Sequence, residues 1–175
     1  LSGAAALKAT GEFKTVELDI EISGASSIKG LNISGKELSL DCSGAAILEL
    51  TGNFSQSIDA EVSGASSAKL ISSCDNFEAE VSGAAKLTVN GTHKNTDISG
   101  SGASNVKMEG TTNYLKSVNS GASKFIGATY TANNGYVELS GASNAKVKCS
   151  GELKIMVGKA SKLTYYGNPT IINVN

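Results

Sequence analysis

Val62-Ser63-Gly64-Ala65-Ser66-Ser67-Ala68-Lys69-Leu70 is the stretch whose reading decides how this chain folds. Its Ser-Gly-Ala signature recurs at Gly3, Gly24, Gly44, Gly64, Gly83, Gly102, Gly121 and Gly141, with a ninth, altered copy at Gly158-Lys159-Ala160. Counting Lys159 as the ninth position, the spacings are 21, 20, 20, 19, 19, 19, 20 and 18 residues. A period near 20 residues over a whole chain marks a solenoid, in which each repeat is one coil stacked on its neighbours.

Working outward from each glycine, apolar residues stand two, four and six places before it, as in Leu18, Ile20 and Ile22, or Ile58, Ala60 and Val62. Polar residues separate them, as in Leu18-Asp19-Ile20-Glu21-Ile22. That alternation has a period of two and describes a strand with one buried and one wet face. A second alternating segment begins four places after the glycine, at Ile28, Leu48, Ala68, Leu87, Val106, Phe125, Ala145 and Leu163. The glycine between the two strands is read as a tight corner with positive φ, and the alanine after it as a small side chain that stacks where the backbone turns inward. A second set of glycines, Gly11, Gly35, Gly52, Gly91, Gly110, Gly127, Gly151 and Gly167, precedes polar stretches such as Thr92-His93-Lys94-Asn95. These predict a loop or a weaker third strand.

The expected fold is therefore all-β: a single-stranded parallel β-helix of about nine coils, close to 20 residues each, over residues 1–175 as one domain. With coils ~4.8 Å apart the rod is roughly 40 Å long. Helix is disfavoured because twenty glycines interrupt any window long enough to hold one. A left-handed hexapeptide helix needs an even 18-residue coil in three hexads, and calcium-binding nonapeptide coils need repeated Gly-x-Asp turns; neither pattern is present.

A net charge of −1, with all 15 basic residues being lysine, argues against a nucleic-acid partner and removes the bidentate guanidinium clamp. No apolar stretch reaches the ~18 residues that span a bilayer. Beginning at Leu1 inside a repeat, the chain reads as a mature or trimmed fragment without signal peptide or leading strands. Cys42, Cys74 and Cys149 fall in different coils and read as buried structural thiols.

The Val62–Leu70 run, its echoes in every coil and the terminal Tyr165-Tyr166-Gly167-Asn168-Pro169 resemble the head GIN domain family of auto-transporter adhesins. The resemblance covers essentially the whole chain. It implies a right-handed β-helix exported in a Gram-negative bacterium, to the periplasm, the outer membrane or the cell surface. The family carries no catalytic residues to transfer. This chain departs from it by lacking leading strands and by carrying Lys159 in the ninth copy.

Several positions are candidates for contact. Outward carboxylates Asp19, Glu21, Asp41, Asp59, Glu61, Glu78, Glu80, Asp97 and Glu138 are expected to align into a stripe, a candidate cation site. A basic stripe, Lys8, Lys29, Lys69, Lys107 and Lys146, is expected to offset it around the corner. Tyr114, Tyr130, Tyr136, Tyr165 and Tyr166 are read as outward and suited to stacking on sugar rings, the last two also capping the open end. His93, the sole histidine, reads as a loop residue. Gly100, Ser117 and Asn119 stand at inward positions; the expected resolution is a bulge that turns Val118 inward, the alternative a polar ladder with Gly100 making room for Asn119.

The functional expectation is a non-enzymatic exported module, an adhesin or cell-envelope scaffold, with no cofactor or metal. Its expected partners are a glycan or other cell-surface ligand and further copies of the chain paired through open coil edges. The alternative is a carbohydrate-active β-helix, whose chemistry would need paired carboxylates such as Asp59, Glu61, Glu78 and Glu80 in a cleft walled by long insertions. The coils are near-uniform instead. Ice binding would need outward ladders of threonine.

Overall fold

The computed structural model describes residues 1–174. Among them there is no helix; the elements are β1 (Ala6–Lys8), β2 (Glu12–Lys14), β3 (Glu17–Ile22), β4 (Ser27–Cys42), β5 (Ile47–Val62), β6 (Ser67–Val81), β7 (Lys86–Gly100), β8 (Asn105–Asn119), β9 (Lys124–Leu139), β10 (Asn144–Cys149), β11 (Glu152–Val157), β12 (Lys162–Tyr166) and β13 (Thr170–Asn173). Every pairing is parallel, and β4 to β9 follow one another in order through one 13-stranded sheet. The result is a β-solenoid of about nine turns with about 19 residues per turn.

The corner glycines have φ between 66° and 79° in all eight Ser-Gly-Ala copies. A second constraint comes from the neighbouring coil: a Cβ on Gly64 would stand 2.7 Å from the Gly44 carbonyl oxygen, and Gly83, Gly102 and Gly121 repeat the arrangement. The corners therefore stack backbone on backbone. Each following amide donates across coils, as Ala65 N does to the Gly44 carbonyl at 2.7 Å.

The alanine of the signature does not turn inward. Ala25, Ala45, Ala65, Ala84, Ala103, Ala122 and Ala142 are exposed, and it is the next residue that is buried: Ser26, Ala46, Ser66, Ala85, Ser104, Ser123 and Ser143. A residue two after a positive-φ glycine resumes the strand alternation on the inner side. At Ser26, Ser66, Ser123 and Ser143 the hydroxyl reaches a carbonyl below, as Ser66 Oγ does to Cys42 O at 2.9 Å and Ser143 Oγ to Asn119 O at 3.2 Å, whereas Ser104 Oγ has no partner.

The polar segments after the second glycine set are strand rather than loop. Thr92–Asn95 lies within β7, Thr111–Asn113 within β8 and Thr131–Asn134 within β9, all in register with their neighbours. Parallel pairing between coils satisfies their backbone whatever their polarity. Each coil is thus one ribbon of 15 or 16 residues in β4–β9, bent around an interior packed with columns such as Ile28, Leu48, Ala68, Leu87, Val106, Phe125 and Ala145.

The expected bulge at Asn119 is absent. Ser117, Val118 and Asn119 pair without a shift to Val137, Glu138 and Leu139, Ser117 and Asn119 are buried, and Val118 faces out. Asn119 Nδ2 donates to Ser117 Oγ at 2.8 Å. Gly100 makes this possible, since a Cβ there would lie 2.7 Å from Asn119 Oδ1. A missing side chain below leaves room for the amide, so the ladder keeps its register. All three cysteines are free and buried, and burial raises each thiol, Cys74 to about 12.

Candidate functional site

The register resolves the acidic stripe into two columns. One runs Asp19, Ser39, Asp59, Glu78, Asp97, Lys116, Tyr136; the other runs Glu21, Asp41, Glu61, Glu80, Ser99, Val118, Glu138. Four carboxylates follow without interruption in the second column and three in the first. Like charges directly opposite in a sheet repel. Among the described residues no group of three or more His, Cys, Asp or Glu side chains is arranged to hold a metal ion.

The basic stripe is broken. Lys69, Lys107 and Lys146 alternate in register with Glu49, Thr88 and Ile126. The two stripes also do not pair with each other: the ion pairs among the described residues are Lys94 with Asp75, Lys107 with Glu109, Lys116 with Asp97, and Lys154 with Glu152. Only Lys116 neutralises a stripe carboxylate, at 2.7 Å from Asp97 Oδ2. The hydrogen bond and charge of Asp97 push the Lys116 pKa up.

At that point the face changes character. Lys116 and Tyr136 take the column positions that carboxylates hold in earlier coils, and Tyr114, 41% exposed, stands two residues along β8 from Lys116 on the same side. The Tyr136 hydroxyl donates to Glu138 Oε2 at 2.8 Å. Tyr165 and Tyr166 are exposed on the last coil. Of the five tyrosines read as outward, Tyr130 is the exception and is fully buried.

Tyr130 belongs to a polar cluster inside the rod that also holds His93. Burial, not loop placement, is the environment of His93: it is 2% exposed, in register between Cys74 and Thr112, with its ring 4.9 Å from that of Phe77. Tyr130 lies above two glycines, Gly110 and Gly91, and its hydroxyl reaches the level of β7, 2.7 Å from His93 Nδ1 and 2.7 Å from Thr96 Oγ1. Thr96 Oγ1 in turn lies 3.2 Å from Thr112 Oγ1, and Thr112 donates to the Tyr114 carbonyl at 3.0 Å. Each hydroxyl has one proton. His93 Nδ1, Tyr130, Thr96 and Thr112 thus form one chain of polar contacts that ends on the backbone, its direction following the His93 tautomer. Nε2 has no partner. Burial lowers the His93 pKa to about 4, and the Ser72 carbonyl offsets this in part without reaching hydrogen-bond geometry. Burial likewise raises Tyr130 to about 12. Both groups are neutral at pH 7, so the cluster holds the core together and offers no charge to a ligand.

Nothing local in Thr92-His93-Lys94-Asn95 marks His93 as inward. The signal is its offset: Phe54, Cys74, His93 and Thr112 each stand ten residues after a corner glycine.

The fold and its outer face define the class, a parallel β-solenoid whose exposed ladders repeat from coil to coil. The family model described as "Putative auto-transporter adhesin, head GIN domain" matches residues 60–169, and the chain belongs to that family. No curated protein and no solved structure matches it.

Proposed function

We propose that this chain is a non-enzymatic, exported module that acts at the bacterial cell envelope through its outer faces, binding a surface ligand in the manner its family description names. The observation that carries the reading is the continuous parallel pairing from β4 to β9, which, apart from local shifts such as those at Asn53/Ser57 and Lys107/Glu109, presents side chains as columns instead of converging them on a walled cleft. Repeated faces of this kind suit extended ligands and lateral assembly. The family description supports the extracellular or cell-surface setting.

The experiment is display of the chain on a non-adherent Gram-negative host, with protease accessibility on intact cells and adhesion to immobilised glycans and host-cell surfaces measured together. Protease-accessible chain with adhesion above an undisplayed control is the expected outcome. Release of reducing ends from any polysaccharide by the purified chain, lost in Glu78→Gln or Asp59→Asn, would replace this reading with a carbohydrate-active enzyme.

A further inference from the structure

The face around Tyr114 differs from the rest of the rod in combining a hollow, an exposed ring and side chains with unused hydrogen-bonding capacity. The hollow has a volume of about 350 Å³ and is lined by Asn76, Glu78, Asn95, Asp97, Tyr114 and Lys116, over a floor of Phe77 and Thr96. That is the lower end of the range for small-molecule sites, the scale of a single ring rather than an extended chain segment.

Its polar groups are partly tied to one another, and the pattern of what remains is informative. Asn95 Nδ2 donates to Asn76 Oδ1 at 2.9 Å, which orients both amides and leaves the Asn95 carbonyl oxygen and the Asn76 amino group for a ligand. Lys116 spends one proton on Asp97 and has two more. The hollow therefore offers donors and acceptors side by side, which matches a ligand whose hydroxyls both donate and accept. Tyr114 adds an apolar ring face within the same wall, and Tyr136 stands next to Lys116 in register. Charge narrows the ligand further: Glu78 and Asp97 against Lys116 leave one net negative charge, which repels anionic groups brought into the hollow.

We infer that the hollow between β6, β7 and β8 is a subsite for one pyranose ring of a neutral glycan, with Tyr114 stacking on the ring and Asn76, Asn95 and the Asp97–Lys116 pair bonding its hydroxyls. This deepens the binding-module reading above and rests on it. Stacking sets the affinity and the oriented amides set which hydroxyl configuration fits. The stripe carboxylates on the neighbouring coils exclude sulfated and uronic acid chains.

The test is titration of the full chain, by ligand-observed nuclear magnetic resonance, with cellotetraose, mannotetraose, chitotetraose and galactotetraose, and with a heparin tetrasaccharide and tetragalacturonate as anionic counterparts. At least one neutral probe is expected to bind and neither anionic one. Tyr114→Ala should weaken that binding at least about tenfold, while Tyr114→Phe retains most of it. Asn95→Ala should also weaken it, and Tyr165→Ala on the distant last coil should leave it unchanged. These exposed positions allow each variant to be checked for an unchanged melting temperature. The subsite is overturned if no neutral probe binds, if an anionic probe binds better, or if Tyr114→Ala and Asn95→Ala are both without effect. Adhesion by the displayed chain without neutral-glycan binding would sink the subsite and leave the module reading intact; cleavage of a bound probe would sink the module reading itself.

Discussion

The Tyr130 hydroxyl lies 2.7 Å from His93 Nδ1 although Tyr130 sits on β9 and His93 on β7, so one ring spans the intervening coil deep inside the rod. A neutral histidine locked in this way ties stability to pH. Unfolded, its pKa is near 6.5, and folded it is about 4, so the unfolded chain takes up the proton first as pH falls. The contribution is complete above pH 6.5 and is lost progressively between 6.5 and 4, on the order of 3 kcal/mol. Because His93 is the sole histidine, urea unfolding between pH 7 and 5 isolates it. His93→Phe should flatten that part of the profile, and an unchanged slope would show that His93 is not buried as a neutral ring.

Tyr130→Phe keeps the ring and removes the hydroxyl that joins His93 to Thr96. The buried His93 Nδ1 then has no hydrogen-bond partner, at a cost of about 1 to 3 kcal/mol. The measurement is the urea midpoint at pH 7, with Tyr136→Phe as a control expected to move it little, since that phenol bonds a carboxylate at the surface.

Gly64→Ala meets two obstacles, a φ of 71° and a Cβ 2.7 Å from the Gly44 carbonyl. Gly3→Ala meets only the first, because nothing lies within 4 Å of a Cβ there. The left-handed backbone alone costs an alanine roughly 1 to 2 kcal/mol, and the collision adds to it, so Gly64→Ala should lower thermal stability clearly more than Gly3→Ala. Equal losses would mean that the corners are not stacked backbone on backbone.

Gly100 and Asn119 are coupled through space. Gly100→Ala drives a Cβ toward Asn119 Oδ1 and should destabilise by about 1 to 3 kcal/mol. In an Asn119→Ala background the same change should cost much less, because the other neighbours of that Cβ, Ser104 Oγ and Ser123 Cβ, stand at ordinary contact distance of 3.5 Å. A double-mutant cycle read by chemical denaturation gives the coupling. Additive losses would restore the bulged alternative.

The regular part of the solenoid was legible residue by residue. Ile58, Ala60 and Val62 announce their burial by alternation, and Gly64 announces the corner, because both depend only on backbone period and the need for positive φ. The polar half of each coil was not legible in the same way. Thr92-His93-Lys94-Asn95 reads by composition as a loop or a weaker third strand; its backbone is paired on both sides by neighbouring coils, and composition carries no record of that pairing. The candidate face was half legible. The carboxylates were recognisable as outward, whereas the meeting of Tyr114 with Asn95 and Asp97 depends on register between β7 and β8.

What the sequence by itself determined is the coil: its length, its corner, and which side chains alternate inward on the two strands beside the glycine, since these follow from a local period near 20 residues. What only the tertiary structure decided is which coil supplies the partner for a polar side chain. Tyr130 is inside because Gly91 and Gly110 lie beneath it and His93 and Thr96 bond its hydroxyl there; Asn119 is inside because Gly100 leaves the room. Burial of a polar group is a property of its neighbours' hydrogen bonds and volumes, and those neighbours stand one or two coils away along the chain.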